Sequence, residues 1–234
     1  MYDKRQANGD TMERKKIYAE LNRLFEELRL QKLYRVVETA FKEKDAIGHN
    51  WEHVRRDIVN IIEIGLEEGA DMEIVMPAII LHDIGFVTHP HEPKKHPIHG
   101  ASGCYRFLDD WTPEQRKSIS SCILKHKAKY PGYEHTEPET LEERVVCDAD
   151  QIDKFGWVGF MQSLKVYVEY GTKGNERFKT LAGLAEALTH HSSITLYTET
   201  GKRLAAQKSD PDFMEVSMKL TKELSLSEDW KEPF

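Results

Sequence analysis

Apolar residues recur at helical spacing along most of this chain, and alternation of strand period over a useful length is absent. Ile17, Leu21, Leu24, Phe25 and Leu28 make one stripe, and Leu33, Val36, Val37, Ala40 and Phe41 continue it. The spacing predicts one long helix, or two helices broken near residues 29–31. A second amphipathic stretch covers about 50–68, with Val54, Ile58, Ile61, Ile62 and Leu66 on one face and Gly69 as its stop. Asp71 is placed to cap a helix over 72–83. Its Met76, Ala78, Ile79, Ile80 and Leu81 predict a segment buried on almost every side.

Further along, residues 85–97 are rich in Pro and His and read as a loop, and another helix begins over 99–108. Thr112-Pro113-Glu114-Gln115 is a strong helix start, with threonine at the cap and proline at the first position. It leads into Ile119, Cys122, Ile123 and His126. Residues 129–138 read as a loop, and Thr140 opens a helix predicted to reach about residue 162. Beyond Gly171 the pattern is less regular: 178–190 and 210–224 read as helices, and 195–206 as short and turn-like. The predicted class is an all-α helical bundle. Its divisions are a disordered leader (1–12), a helical lead-in (13–45), the main helical domain (46–170) and a smaller C-terminal helical extension (171–234).

Composition narrows the function. The 234 residues suffice for one sizeable core, and 39% hydrophobic with 31% charged residues is the balance of a globular protein. The net charge of −7 carries no electrostatic footprint for nucleic acid or an anionic membrane. It still permits a local basic pocket for a phosphate. No apolar run approaches the ~20 residues of a membrane helix, and residues 1–11 lack the apolar core of a signal peptide. Cys104, Cys122 and Cys147 are widely spaced and odd in number, which suits no closed disulfide framework. The expectation is a cytoplasmic protein with small buried thiols.

Three polar clusters interrupt the apolar helices. They are Trp51-Glu52-His53-Val54-Arg55-Arg56, then Ile79-Ile80-Leu81-His82-Asp83-Ile84-Gly85, then Val145-Val146-Cys147-Asp148-Ala149-Asp150-Gln151-Ile152-Asp153. Each alone has a bland reading. His53 could be a satisfied core histidine, His82-Asp83 a surface pair, and the three aspartates a solvated helix face. Together they are harder to dismiss, because burying ionisable groups is costly unless they are paired or bind a metal. Imidazole and carboxylate together suit a divalent ion: Mn, Fe, Co, Ni, Zn or Mg. Consecutive His82 and Asp83 would diverge within a regular helix. At a helix end near Gly85 both reach one ion.

The order His53, His82-Asp83, Asp150 resembles the HD-domain metal-dependent phosphohydrolases. The nearest likeness is to the small stand-alone HD hydrolases of bacteria and archaea. Gly48-His49-Asn50-Trp51-Glu52-His53 and Tyr197-Thr198-Glu199-Thr200-Gly201-Lys202-Arg203-Leu204-Ala205 add to it, so it extends from about Gly48 onward. The resemblance implies an HD-domain helical bundle in which His53, His82, Asp83 and Asp150 hold a divalent metal and carry catalysis. It prefers Asp150, which follows Ala149, over Asp148. His99 and His126 are candidates for a second metal, and His126 alternatively for phosphate. Lys125, Lys127 and Arg56 are candidate substrate-binding cations, with pairing to Asp83 or Asp153 as another role for Arg56. His89, His91 and His96 read as solvent-facing or as part of a substrate lid, and His49 as a rim residue. His190-His191 read as surface.

The implied reaction is hydrolysis of a small phosphorylated metabolite, a nucleotide by resemblance, through metal-bound water. Two readings of other classes stay open: a di-iron oxygenase on the same scaffold, and a non-enzymatic metabolite-sensing HD domain. The substrate, the metal and the oligomeric state are not legible in the sequence.

Overall fold

The computed structural model describes residues 4–44, 49–127, 137–172, 174–175, 194–209 and residues 215, 219, 222 and 223, with 4–14 as backbone only. The expected all-α class holds: among these residues every regular element is helical. The helices are α1 (Lys4–Glu27), α2 (Gln31–Lys42), α3 (Trp51–Glu68), α4 (Met72–Leu81), α5 (Ile84–Thr88), α6 (His96–Gly103), α7 (Pro113–Lys125), α8 (Leu141–Ile152), α9 (Gly156–Thr172) and α10 (Glu199–Lys208). Single 3-10 turns occupy Pro93–Lys95 and Cys104–Phe107. No described helix is long and apolar enough to cross a membrane.

Local chemistry sets most of the boundaries. Asn50 caps α3 by accepting from the His53 N–H at 3.2 Å, and Gly69 ends it in the left-handed region at φ 75°. Asp71 caps α4. Thr112 with Gln115, and Thr140 with Glu143, form reciprocal capping boxes that start α7 and α8. The stripe over 17–41 divides where Arg29 takes φ 52°, between α1 and α2. An edge-on aromatic series, Phe25–Tyr34–Trp51, ties both helices to the start of α3.

At the centre lies α4, fully buried from Val75 to Leu81. It packs against α3, α7 and α8, while α3 also packs on α8. Apolar residues from all four make one core: Val54, Ile58, Ile61, Met76, Ile79, Ile80, Ile119, Ile123, Val145 and Ile152. Leu66, expected on the buried face of α3, is 43% exposed near the helix end.

Four expectations differ from the structure. The helix α1 begins at Lys4, inside the stretch read as a disordered leader. The helix predicted over 140–162 breaks into α8 and α9, because Gly156 adopts φ 71° with the Lys208 carbonyl where a Cβ would be crowded. Residues read as a turn near 195–206 are mostly α10, capped by Thr198 and packed on α3 and α8. The region read as a loop over 85–97 contains α5 and the first residues of α6. The predicted helix over 178–190, His190-His191, most of 210–224 and most of the loop at 129–138 lie outside the described residues.

Candidate metal centre

Five helices converge on one buried cluster. His53 and Asp57 stand one turn apart on the inner face of α3, 5% and 0% exposed. His82 follows the last residue of α4, and the chain then leaves the helix at Asp83, with φ −98° and ψ 8°. That break lets two consecutive side chains face the same centre. Asp150 arrives from α8, His126 from the end of α7 and His96 from the start of α6. The approach of α6 depends on Gly85, where a Cβ would lie 2.1 Å from the His96 carbonyl oxygen.

Asp83 divides the cluster into two sides. Its Oδ2 lies 3.5 Å from His53 Nε2 and 3.4 Å from His82 Nε2. On that side Asp57 Oδ2 is 3.2 Å, and Asp150 Oδ1 3.3 Å, from His53 Nε2. Its Oδ1 faces the other way, 3.3 Å from His96 Nε2 and 3.5 Å from His126 Nε2.

The protonation of the imidazoles follows from their outer nitrogens. His82 Nδ1 lies 2.8 Å from the Ile79 carbonyl, His96 Nδ1 2.7 Å from that of Pro93, and His126 Nδ1 2.6 Å from that of Ile123. A carbonyl only accepts, so each Nδ1 carries the proton and donates. In the neutral rings each Nε2 then presents a lone pair to the centre. His53 Nδ1 donates to Asp153 Oδ2 at 2.8 Å, and Asp153 is held in turn by Arg56 through two bonds of 2.6 and 2.8 Å. This carboxylate–imidazole relay is the usual way of orienting a metal-binding histidine.

The electrostatics of the cluster suit a cation. Six inward atoms, both oxygens of Asp57, both of Asp83, Asp150 Oδ1 and His82 Nε2, are buried without a hydrogen-bond partner. Burial pushes the Asp57 carboxyl well above the usual carboxylate range, against the pull of His53. Burial acts likewise on Asp83 and Asp150. His82 nevertheless holds Asp83 well below that range, and Lys127 and Lys154 hold Asp150 there. Burial depresses His53 too, yet Asp57, Asp150 and Asp153 together carry it well above the ordinary histidine value. Burial drives His96 and His126 down, so the two neutral rings meet Nε2 to Nε2 at 3.1 Å. Two lone pairs at that distance are reconciled by a positive centre near them. Among the described residues, two groupings have ligand atoms within 4.8 Å of one another: His53, Asp57, His82, Asp150 and His82, Asp83, His126. This donor set fits a divalent ion of the Mn to Zn series.

The structure therefore brings together His53, His82, Asp83, Asp150 and His126 of the sequence-predicted set. It turns Asp148 away: that carboxylate accepts from the Tyr197 and Thr198 N–H groups and from Thr198 Oγ1, at the start of α10. His99 is a correction. It lies beside Glu92 at 3.0 Å, its ring stacked on His89. On α6 the face shared by His96 and Gly100 is the one packed inward, so His96, expected in a solvent-facing loop or lid, occupies the place proposed for His99. Lys125 is a second correction. Its ammonium donates to Glu143 at 3.0 Å and Glu139 at 2.9 Å, which directs it to the start of α8 and away from the cluster. Arg56 is committed to Asp153, a supporting position outside direct reach of the ligand atoms. Lys127 does face the cluster, with Nζ 3.7 Å from Asp150 Oδ2. His49 sits at its rim, stacked on Phe86, and burial pushes it down to about 3.

Two residues escaped the sequence reading. Asp57 is one helical turn after His53, and a charge on the face of Val54, Ile58 and Ile61 was the available signal. Lys154 is one turn after Asp150, with Nζ 3.4 Å from Asp150 Oδ2 and 2.7 Å from Gln151 Oε1. The same spacing pointed to it.

Known proteins resemble the chain in this region. The family model of the HD domain matches residues 50–154, which span His53 to Asp153. The uncharacterized protein YpgQ of Bacillus subtilis is 29% identical over 133 residues. That alignment covers 56% of this chain and 62% of YpgQ, under two thirds of the relative's length. Among solved structures, a predicted HD superfamily hydrolase from an uncultured Thermotogales bacterium has a TM-score of 0.52 at 22% identity, over 85% of this chain and 92% of that one. YpgQ in complex with ADP has a TM-score of 0.52 at 21% identity, over 91% of this chain and 97% of that one. These structural likenesses concern the fold.

Proposed function

The chain belongs to the HD superfamily through its HD domain at residues 50–154, and from that premise we propose that it is a metal-dependent phosphohydrolase acting on a small phosphorylated metabolite of the nucleotide class. The observation that carries this reading is the set of six buried, unpartnered polar atoms directed at one another from α3, α8 and the α4–α5 junction. A divalent ion bound there lowers the pKa of coordinated water and offsets charge developing on phosphoryl oxygens.

The chain's own residues do the remainder. His53, His82, Asp83 and Asp150 would hold one divalent ion, and His96 and His126, which face the other Asp83 oxygen, would hold a second. Asp153 and Arg56 fix the His53 ring so that Nε2 faces inward. Lys127 and Lys154, beside Asp150 at the edge of the cluster, neutralise phosphate oxygens. Helices α3, α4 and α8 exclude bulk water behind the site, which strengthens each of these interactions. The ADP complex of YpgQ, a protein of like fold, supports a nucleotide as the ligand class.

The test is a hydrolysis screen on the purified protein. It covers nucleoside mono-, di- and triphosphates and a generic phosphodiester, with Mn, Co, Ni, Mg and Zn each supplied after chelation. Phosphate or pyrophosphate release that chelation abolishes and one of these ions restores is expected. Oxygen consumption by an iron-loaded sample with no phosphate release would establish the oxygenase reading instead. Metabolite binding without turnover would establish the sensor reading.

A further inference from the structure

We propose that Asp57 is a further protein ligand of the ion on the His53 side, so that this ion meets three carboxylates, Asp57, Asp83 and Asp150, and two imidazoles. The assignment rests on the metal reading given above.

Asp57 is fully buried, and neither of its oxygens has a hydrogen-bond partner. Its Oδ2 is 3.2 Å from His53 Nε2 and 3.6 Å from His82 Nε2, so it points at the atoms that define the ion's place. With an ion bound both rings are neutral and those nitrogens offer it no proton, because the one proton of each ring sits on Nδ1, bonded to Asp153 and to the Ile79 carbonyl. The nearby cations are engaged elsewhere: Arg56 bonds Asp153, and Lys127 and Lys154 lie against Asp150. A carboxylate left in this setting calls for a positive partner. The position also follows from α3 itself, where residues one turn apart share a face and His53 is on the inner one.

Charge gives the consequence. Three carboxylates and two neutral imidazoles leave the occupied His53 side with one net negative charge. An oxygen-rich set also shifts preference toward harder ions such as Mn2+ and Mg2+, relative to Zn2+. Lys127 and Lys154 are then needed to bring an anionic phosphate to a centre that is itself not positive.

The experiment is Mn2+ binding to the full chain after chelation, followed by calorimetry and by the free Mn2+ electron-spin signal, with Zn2+ competition. Asp57→Asn is expected to weaken Mn2+ by at least about tenfold and to move the Mn2+/Zn2+ preference toward Zn2+. The metal-free variant should melt close to the metal-free wild type, since the amide keeps the shape of the carboxyl and adds no buried charge. Asp57→Ala should behave in the same direction. Unchanged Mn2+ affinity and unchanged preference in a folded Asp57→Asn protein would overturn the assignment. The Mn-loaded wild type needs no variant: an anomalous-scattering map should place the ion about 2.2 Å from an Asp57 oxygen, and a separation beyond about 3 Å overturns the assignment too. A wild type that binds Mn2+ yet hydrolyses no phosphate ester overturns the phosphohydrolase reading alone, because affinity and ion position decide this one.

Discussion

The two sides of Asp83 use the same imidazole chemistry in different electrostatic settings. On the His53 side, Asp57 and Asp150 add their carboxylates to the shared Asp83 oxygen. On the His126 side, two imidazoles face the other Asp83 oxygen alone. The supports differ as well. His53 leans on a charged relay through Asp153 to Arg56, whereas His96 and His126 lean on backbone carbonyls three residues earlier. A carboxylate partner makes an imidazole a stronger base than a carbonyl partner does. Under the two-ion proposal, the His53 side would hold its cation more tightly than the His126 side.

The largest effect should come from Asp83→Ala, which removes the group common to both sides. Metal per protein is expected to fall from about two to near zero, with loss of turnover, as read by elemental analysis beside the hydrolysis assay. A variant that keeps full phosphatase activity after complete chelation would break the metal reading itself. His126→Ala sharpens the contrast between the sides. The ratio should fall from about two toward one, and the surviving ion should keep its affinity. An unchanged ratio would reassign His126 to phosphate contact.

Lys127→Ala should leave both ions in place and raise KM by about tenfold, with a smaller change in kcat. Loss of metal in that variant would mean that the ammonium supports Asp150 and not substrate. The smallest effect on the centre is expected from Glu143→Gln, which touches neither side. Burial would raise the Glu143 pKa. The Ser121 hydroxyl, the N–H groups of Glu139 and Thr140, and Lys125 hold it below its ordinary 4.5 all the same. A depressed carboxylate stabilises the fold above its unfolded value and loses that contribution as pH falls through the folded value. Glu143→Gln should therefore cost about 2 kcal/mol near neutrality and flatten the decline of melting temperature below about pH 4.5. Metal affinity should be unchanged.

Asp148 and Asp150 show how the sequence and the fold divide the work. They stand two residues apart on α8, both fully buried. Periodicity alone gives them different faces, and only the motif order singled out Asp150. Asp148 found its role in the N–H groups of Tyr197 and Thr198, some fifty positions away in sequence. The approach is close because Gly201 has no side chain, where a Cβ would lie 2.5 Å from Asp148 Oδ2. No local pattern announces such a pairing, and the segment that supplies it had been read as a turn.

Strong helical periodicity, capping chemistry and the His82-Asp83-Ile84-Gly85 break are local properties, so the sequence by itself determined the all-α class and the starts of α3, α4, α7 and α8, while His53, His82, Asp83 and Asp150 were grouped only by the resemblance of their order to the HD domain. Tertiary packing decided the remainder. The five-residue α5 and eight-residue α6 are too short for their inward faces to be read from periodicity, and the contact of Gly85 with the His96 backbone selected His96 over His99. Glu139 and Glu143 drew Lys125 away from the centre that its neighbour in sequence, His126, enters. Asp57 acquired its meaning only when α4 and α8 closed over α3, because a carboxylate on an apolar face is an anomaly in sequence and a ligand only beside the imidazoles that the fold sets against it.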